Sequence, residues 1–135
     1  MINTGGAPGS DRASAIVVLG DAIDNVVDGV AGAADVSDFS PEGIYSGGVG
    51  NIEGVGFLVQ GHRVRNVVPT GTGIARGITT AATRVSVRGN SVVQPTTTNG
   101  QGIFCSISRI LRDYDVMSYT SGIPSCADAS NNVVF

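Results

Sequence analysis

Residues 85–92, VSVRGNSV, alternate apolar and polar side chains, break at Gly89-Asn90 and then resume the alternation. A period of two reads as a half-buried strand, and a Gly-Asn step is a turn signal. The same arrangement recurs along the chain, and the recurrence restricts the fold more than any single copy does. IVVLGDAIDNV (16–26), FLVQGHRVRNV (57–67) and VSVRGNSVVQP (85–95) superpose without a break on Gly20, Gly61 and Gly89. A fourth copy, RILRDYDVMSY (109–119), fits with Asp113 in the glycine's place. A hairpin needs one partner strand, whereas a repeat makes its own partners by stacking.

Superposition defines columns. Two residues before the turn stand Val18, Val59, Val87 and Leu111, and three after it stand Ile23, Val64, Val92 and Val116. These are expected to be the inward-facing core. Five after the turn, Asn25, Asn66, Gln94 and Ser118 make a polar column suited to a hydrogen-bonded ladder at a bend. The turn pairs Gly-Asp, Gly-His, Gly-Asn and Asp-Tyr are mostly residues that tolerate positive φ or bond their own backbone. A second mark follows each copy, at Gly29-Val30, Gly73-Ile74, Gly102-Ile103 and Gly122-Ile123. The turns stand 41, 28 and 24 residues apart, so the first step has room for a degenerate extra coil around Gly43-Ile44 within residues 30–55.

A chain of 135 residues and 13.6 kDa fits one domain, and 20 Gly with 14% charged residues and no Trp favours strands joined by turns over a helical bundle. Strand, Gly-Asn turn, strand, loop and Gly-Ile together resemble the right-handed parallel β-helix repeat of pectate-lyase-like proteins and phage tailspikes. The resemblance covers residues 15–135, after an N-terminal extension of 1–14. It implies an all-β solenoid of about four to five coils. A β-sandwich with chance alternation is the alternative fold. Within DRASAIVVLGDAIDNVVDGV a short capping helix competes with strand, and the closing apolar NNVVF is expected to pair with another chain or a neighbouring β-helix segment. No apolar run approaches the roughly 20 residues of a membrane span, and the N-terminus lacks the basic and apolar regions of a signal peptide.

Charge is distributed unevenly. Residues 1–53 carry eight acids against Arg12, and residues 54–112 carry seven arginines and no acid. In a linear fold this predicts an acidic end and a basic middle. Arg88 and Arg112, each one before its turn, are expected to stack on successive coils; Arg63 and Arg65 alternate outward around Val64, beside His62. These five residues are the candidate ligand-binding set, a basic face suited to an acidic glycan or to the acidic end of a neighbouring subunit. For any single arginine the plain alternative is a solvated face, and for His62 it is a turn residue. Nucleic acid is disfavoured by the net charge of −3 and the lack of interleaved aromatics.

Catalytic constellations are sparse. One His, no C-x-x-C and no third sulfur argue against zinc, and no cofactor is expected. Cys105 and Cys126 come within disulfide reach if they lie on adjacent coils in register; two stacked buried thiols are the equal alternative. Calcium-dependent lyase chemistry would unite Asp21, Asp24 and Asp28 with an arginine base, but these are expected two or more coils apart. Asp113 and Asp115 could face one way as a hydrolase pair, although Asp113 has a turn to make. GTGIARG lacks the spacing of a nucleotide loop. The residues therefore favour a non-catalytic structural or receptor-binding module over a polysaccharide lyase, hydrolase or epimerase. By resemblance to tailspikes, self-association as a homotrimer and a virion or extracellular surface location follow.

Overall fold

A computed structural model of the chain describes residues 4–5, 12–18, 20–31, 38–47, 57–81, 85–105, 110–112, 115–121, 129–130 and 133–134. All regular structure among them is β. The strands are β1 (Thr4–Gly5), β2 (Arg12–Val18), β3 (Ala22–Ile23), β4 (Val26–Ala31) and β5 (Ser40–Ser46). Next come β6 (Phe57–Gln60), β7 (Arg63–Val68), β8 (Ala75–Thr80), β9 (Val85–Arg88) and β10 (Ser91–Cys105). The last are β11 (Ile110–Arg112), β12 (Asp115–Ser121), β13 (Ala129–Ser130) and β14 (Val133–Val134).

Every strand ladder among the described residues is parallel, and its strands come from separate stretches of the chain. Three rows result. The first is the five-stranded sheet β3-β6-β9-β11-β13. The second runs β1-β4-β7-β10-β12-β14, and the third β2-β5-β8-β10, joined to the second through the long β10. Ser91–Val93 of β10 pair with β7, whereas Gly100–Cys105 pair with β8, so this strand passes from one row to the other. The passes β2-β3-β4, β5-β6-β7 and β8-β9-β10 each visit the third, first and second rows in that order. Parallel neighbours cannot be joined by a tight hairpin, so the sequence VSVRGNSV is a corner between β9 and β10. An antiparallel sandwich is thereby excluded for these strands.

Inward residues of all three rows form one cluster, with Val59 and Val87 from the first, Val27, Val64, Val92 and Val116 from the second, and Ile44, Ile78 and Ile103 from the third. Two predicted columns hold from the second copy onward: Val59↔Val87↔Leu111 and Val64↔Val92↔Val116 are in register. The first copy is displaced by four residues. Ala22, not Val18, lies beside Val59, and Val27, not Ile23, lies beside Val64. Val18 pairs with Ser46 in the third row, and Ile23 is exposed. The corner residue is Asp24 at φ 54°, matching Gly61 at 71° and Gly89 at 60°. A short polar side chain tolerates the left-handed conformation, so a search for glycine anchors on the wrong residue here.

Other expectations change in the same way. DRASAIVVLGDAIDNVVDGV supplies β2, β3 and β4, with strand in place of the capping helix. β5 lies between β2 and β8, so Gly43-Ile44 belongs to the pass containing β6 and β7 and starts no coil of its own. Within the 1–14 extension, Thr4–Gly5 pair with Val30–Ala31, and Arg12–Ser14 pair with Ser40–Glu42. Val133–Val134 pair with Asp115–Val116 of the same chain; Phe135, Asp113 and Gly122-Ile123 lie outside the described residues. The polar column is also shifted. Gln94 spans to the backbone of Val67, accepting from its N–H at 3.2 Å and donating to its carbonyl at 2.7 Å, while Asn25 belongs to the corner column with His62 and Asn90.

Candidate functional site

The strongest candidate surface is built on β7. Successive side chains of a strand face opposite ways, so Val64 enters the core and sends Arg63 and Arg65 outward. Register places Val26 and Asp28 of β4 on one side and Ser91 and Val93 of β10 on the other. The outer surface is thus two rows of three: Val26, Arg63, Ser91 and Asp28, Arg65, Val93. A shallow open groove of about 310 Å³ lies here, lined by Val26, Arg63, Val64, Arg65, Ser91 and Val93. Val26 is 51% exposed, an apolar floor beside cationic side chains.

The two arginines are not equivalent. Arg65 Nη2 lies 2.7 Å from Asp28 Oδ2, and Asn66 Nδ2 donates to the other carboxylate oxygen. The Asn66 hydrogen bond, seconded by Arg65, holds the Asp28 carboxyl below the usual range. Arg63 has no ion-pair partner among the described residues and is exposed. The site therefore offers one uncommitted cation next to a hydroxyl and two valines.

The remaining candidates fall elsewhere. His62 is fully buried, its ring turned away from the groove toward the first pass, where Nδ1 accepts from the Asn25 N–H at 3.0 Å. Arg88 belongs to the first row, where its Nε donates to Gln60 Oε1 at 2.7 Å. Its backbone pairs with Arg112 as expected, and the Arg112 side chain lies outside the described set. The arginines therefore do not share one face. Cys105 is fully buried and disulfide-bonded; Cys126, its expected partner, lies outside the described residues.

The chain matches no protein-family model, no curated protein and no solved structure. Function must accordingly be argued from the side chains themselves.

Carboxylates of the early passes are spent on neighbouring passes. Asp21 Oδ1 accepts from the Leu58 N–H at 2.8 Å, and Asp38 Oδ1 takes both the N–H and the hydroxyl of Thr72 at 2.7 and 2.9 Å. Glu42 accepts from Ser14 and Thr79, each at 3.0 Å, and lies 3.5 Å from Arg76 Nη1. Asp28 was expected far from the arginines, yet β4 and β7 are adjacent and it pairs with Arg65. Acidic and basic segments thus meet strand by strand. No group of three or more His, Cys, Asp or Glu side chains among the described residues is placed to hold a metal ion. Asp113 and the Asp115 side chain lie outside the described set, so the hydrolase pair falls there too.

Sequence reading missed the outer face of the third row. Ser14, Glu42, Arg76 and Gln101 are in register across β2, β5, β8 and β10. Arg76 Nε donates to Gln101 Oε1 at 2.9 Å, and its guanidinium lies 4.8 Å over the Phe104 ring. The signal was present in EGIY, RGIT and QGIF, which align residue for residue.

Proposed function

We propose that the passes close into a right-handed parallel β-helix similar to those of pectate-lyase-like proteins and tailspikes, and that the chain is a non-catalytic structural and receptor-binding module for acidic glycans. The uncommitted Arg63 carries this reading. Among the described residues, the carboxylates of Asp21, Asp28, Asp38 and Glu42 are occupied in cross-pass bonds, while the groove keeps one cation for an anionic ligand. A uronate presents a carboxylate to a guanidinium, hydroxyls to Ser91 and an apolar ring edge to Val26 and Val93, and an Arg–carboxylate bond is strong and directional. Self-association as a homotrimer, or stacking on a neighbouring β-helix segment, would pair exposed strand edges. The disulfide at Cys105 supports an oxidising, extracellular or virion-surface setting.

The test is calorimetric titration with oligogalacturonate against a neutral glucan of equal length, alongside light scattering. The acidic oligomer is expected to bind and the neutral one not, with Arg63→Ala weakening binding about tenfold or more. Equal affinity of Arg63→Ala and the parent for oligogalacturonate, or shortening of that oligomer by the protein, would overturn the reading.

A further inference from the structure

Corner residues of successive passes do the same job with different chemistry. Asn90 follows Gly89; its Oδ1 accepts from the His62 N–H at 3.0 Å and its Nδ2 donates to the Val59 carbonyl at 3.0 Å. His62 follows Gly61, and its ring meets the equivalent groups one pass earlier. Nδ1 accepts from the Asn25 N–H at 3.0 Å, and Nε2 lies 2.9 Å from the Ala22 carbonyl. Ala22 and Val59 are in register, so the two clamps span the same pair of backbone positions. An amide N–H needs an acceptor and a carbonyl needs a donor, so the ring must be the neutral Nε2–H tautomer. Asparagine supplies one acceptor and one donor at every pH, and imidazole does so only while Nδ1 is unprotonated.

We propose that His62 is an acid-sensitive latch that releases the corner of the first pass from the second. Protonation puts an N–H on Nδ1, facing the Asn25 N–H in a site sealed from water, so one buried donor loses its acceptor. Of the charged groups near the ring, Asp24 on the first-pass corner favours the protonated form. Arg63, next along the chain, sends its side chain to the outer groove, and Arg88 is bonded to Gln60. Burial prevails over the Ala22 carbonyl and Asp24 and holds the imidazole below its ordinary value. A histidine depressed in the folded state contributes stability that is full above the unfolded value near 6.5 and is lost as pH falls below it. What is released is local: Asp24 N–H to Gln60 carbonyl and Arg63 N–H to Asn25 carbonyl, at 2.9 and 3.0 Å, are the neighbouring bonds that fray with it. The latch does not depend on what the groove binds.

Amide hydrogen exchange at pH 7.5 and 5.0, corrected for intrinsic rates, tests it in the whole chain. Protection of residues 25–30 is expected to fall about tenfold in acid relative to that of Val87 and Val92. His62→Asn, which copies Asn90, is expected to keep protection at both pH values. His62 is the sole histidine, so its imidazole signal can be titrated without ambiguity. An equal acid response in His62→Asn, or an imidazole titrating at or above 6.5 in the folded protein, would overturn the latch; the second measurement decides the matter even if the variant does not fold.

Discussion

In the second row one column of inward positions is valine, Val27, Val64, Val92 and Val116, whereas in the third row three glycines are each followed by an isoleucine: Gly43-Ile44, Gly77-Ile78 and Gly102-Ile103. The two choices are coupled. A Cβ on Gly77 would stand 2.1 Å from Val92 Cγ1 and 2.6 Å from the Gly102 carbonyl oxygen, and one on Gly43 would meet Val64 Cγ1 and the Gly77 carbonyl oxygen, each at 2.5 Å. Valines of one row fill the space that glycines of the other leave. Outer faces differ in the opposite sense. In the third row Glu42 and Arg76 are bonded to each other and to Thr79 and Gln101, while in the second Arg63 has no ion-pair partner among the described residues. A row whose outer side chains are bonded to one another therefore backs the row that carries the exposed Arg63.

The largest effect should come from breaking that interlock. Gly77→Val forces side-chain atoms into Val92 and backbone that cannot yield, and should cost about 3 kcal/mol or more, read as a lowered urea midpoint. Gly89→Ala is the control. Nothing lies within 4 Å of its Cβ, so only the φ of 60° is penalised, at about 1–2 kcal/mol. Equal losses at the two positions would mean that conformation, not close approach, selects the glycines. Pairing Gly77→Ala with Val92→Ala sharpens the point. The double variant should be more stable than the sum of the single losses implies, yet short of full rescue because the Gly102 oxygen remains.

These contrasts also mark what the sequence made legible. Glycine corners at Gly61 and Gly89, and the columns from Val59 and Val64 onward, follow from turn chemistry and alternation, both of which are local. Asp24 escaped because glycine is only the commonest answer to a positive φ, and Gly20, with open space around it, drew the alignment four residues away. Gly77-Ile78 escaped because Gly73-Ile74 offers the same dipeptide four residues earlier. That glycine instead admits the Phe39 carbonyl, 1.9 Å from where its Cβ would be. For the site, alternation was enough to turn Arg63 and Arg65 outward. It did not show that Asp28 occupies one of them, which requires the register between distant strands. His62 looked like a surface turn residue because nothing local announces that the backbone of an earlier pass will surround it.

A smaller effect separates the outer faces. Arg76→Ala removes the bond to Gln101 and the contact with Phe104 from a side chain only 20% exposed, and should cost about 1 kcal/mol. Arg63→Ala should change stability by less than about 0.5 kcal/mol. Oligogalacturonate binding should respond in the reverse order, lost with Arg63 and kept with Arg76. A variant pair in which stability and binding move together would erase the proposed distinction between a scaffold row and a ligand-binding row.

The smallest effect is electrostatic and lies well below the window of His62. Asp28, held by Asn66 and Arg65, and Asp38, held by the backbone and hydroxyl of Thr72, both have carboxyl groups below the ordinary 3.8. A depressed acid binds its proton more readily unfolded than folded, so each contributes stability that is complete above 3.8 and drains away as pH falls through the folded value. Urea midpoints in His62→Asn, where the latch no longer titrates, should therefore hold down to about pH 5 and decline below it. Asp28→Asn should remove part of this decline while Asp38 keeps the rest. Because the Asp28–Arg65 pair faces solvent, its share should shrink in high salt. The Asp38–Thr72 bonds involve no opposing charge and should not respond to salt in that way. If salt shrinks both shares equally, the tie between β4 and β7 is no more ionic than the loop contact at Thr72, and Arg65 must be counted with Arg63 as a cation open to ligand.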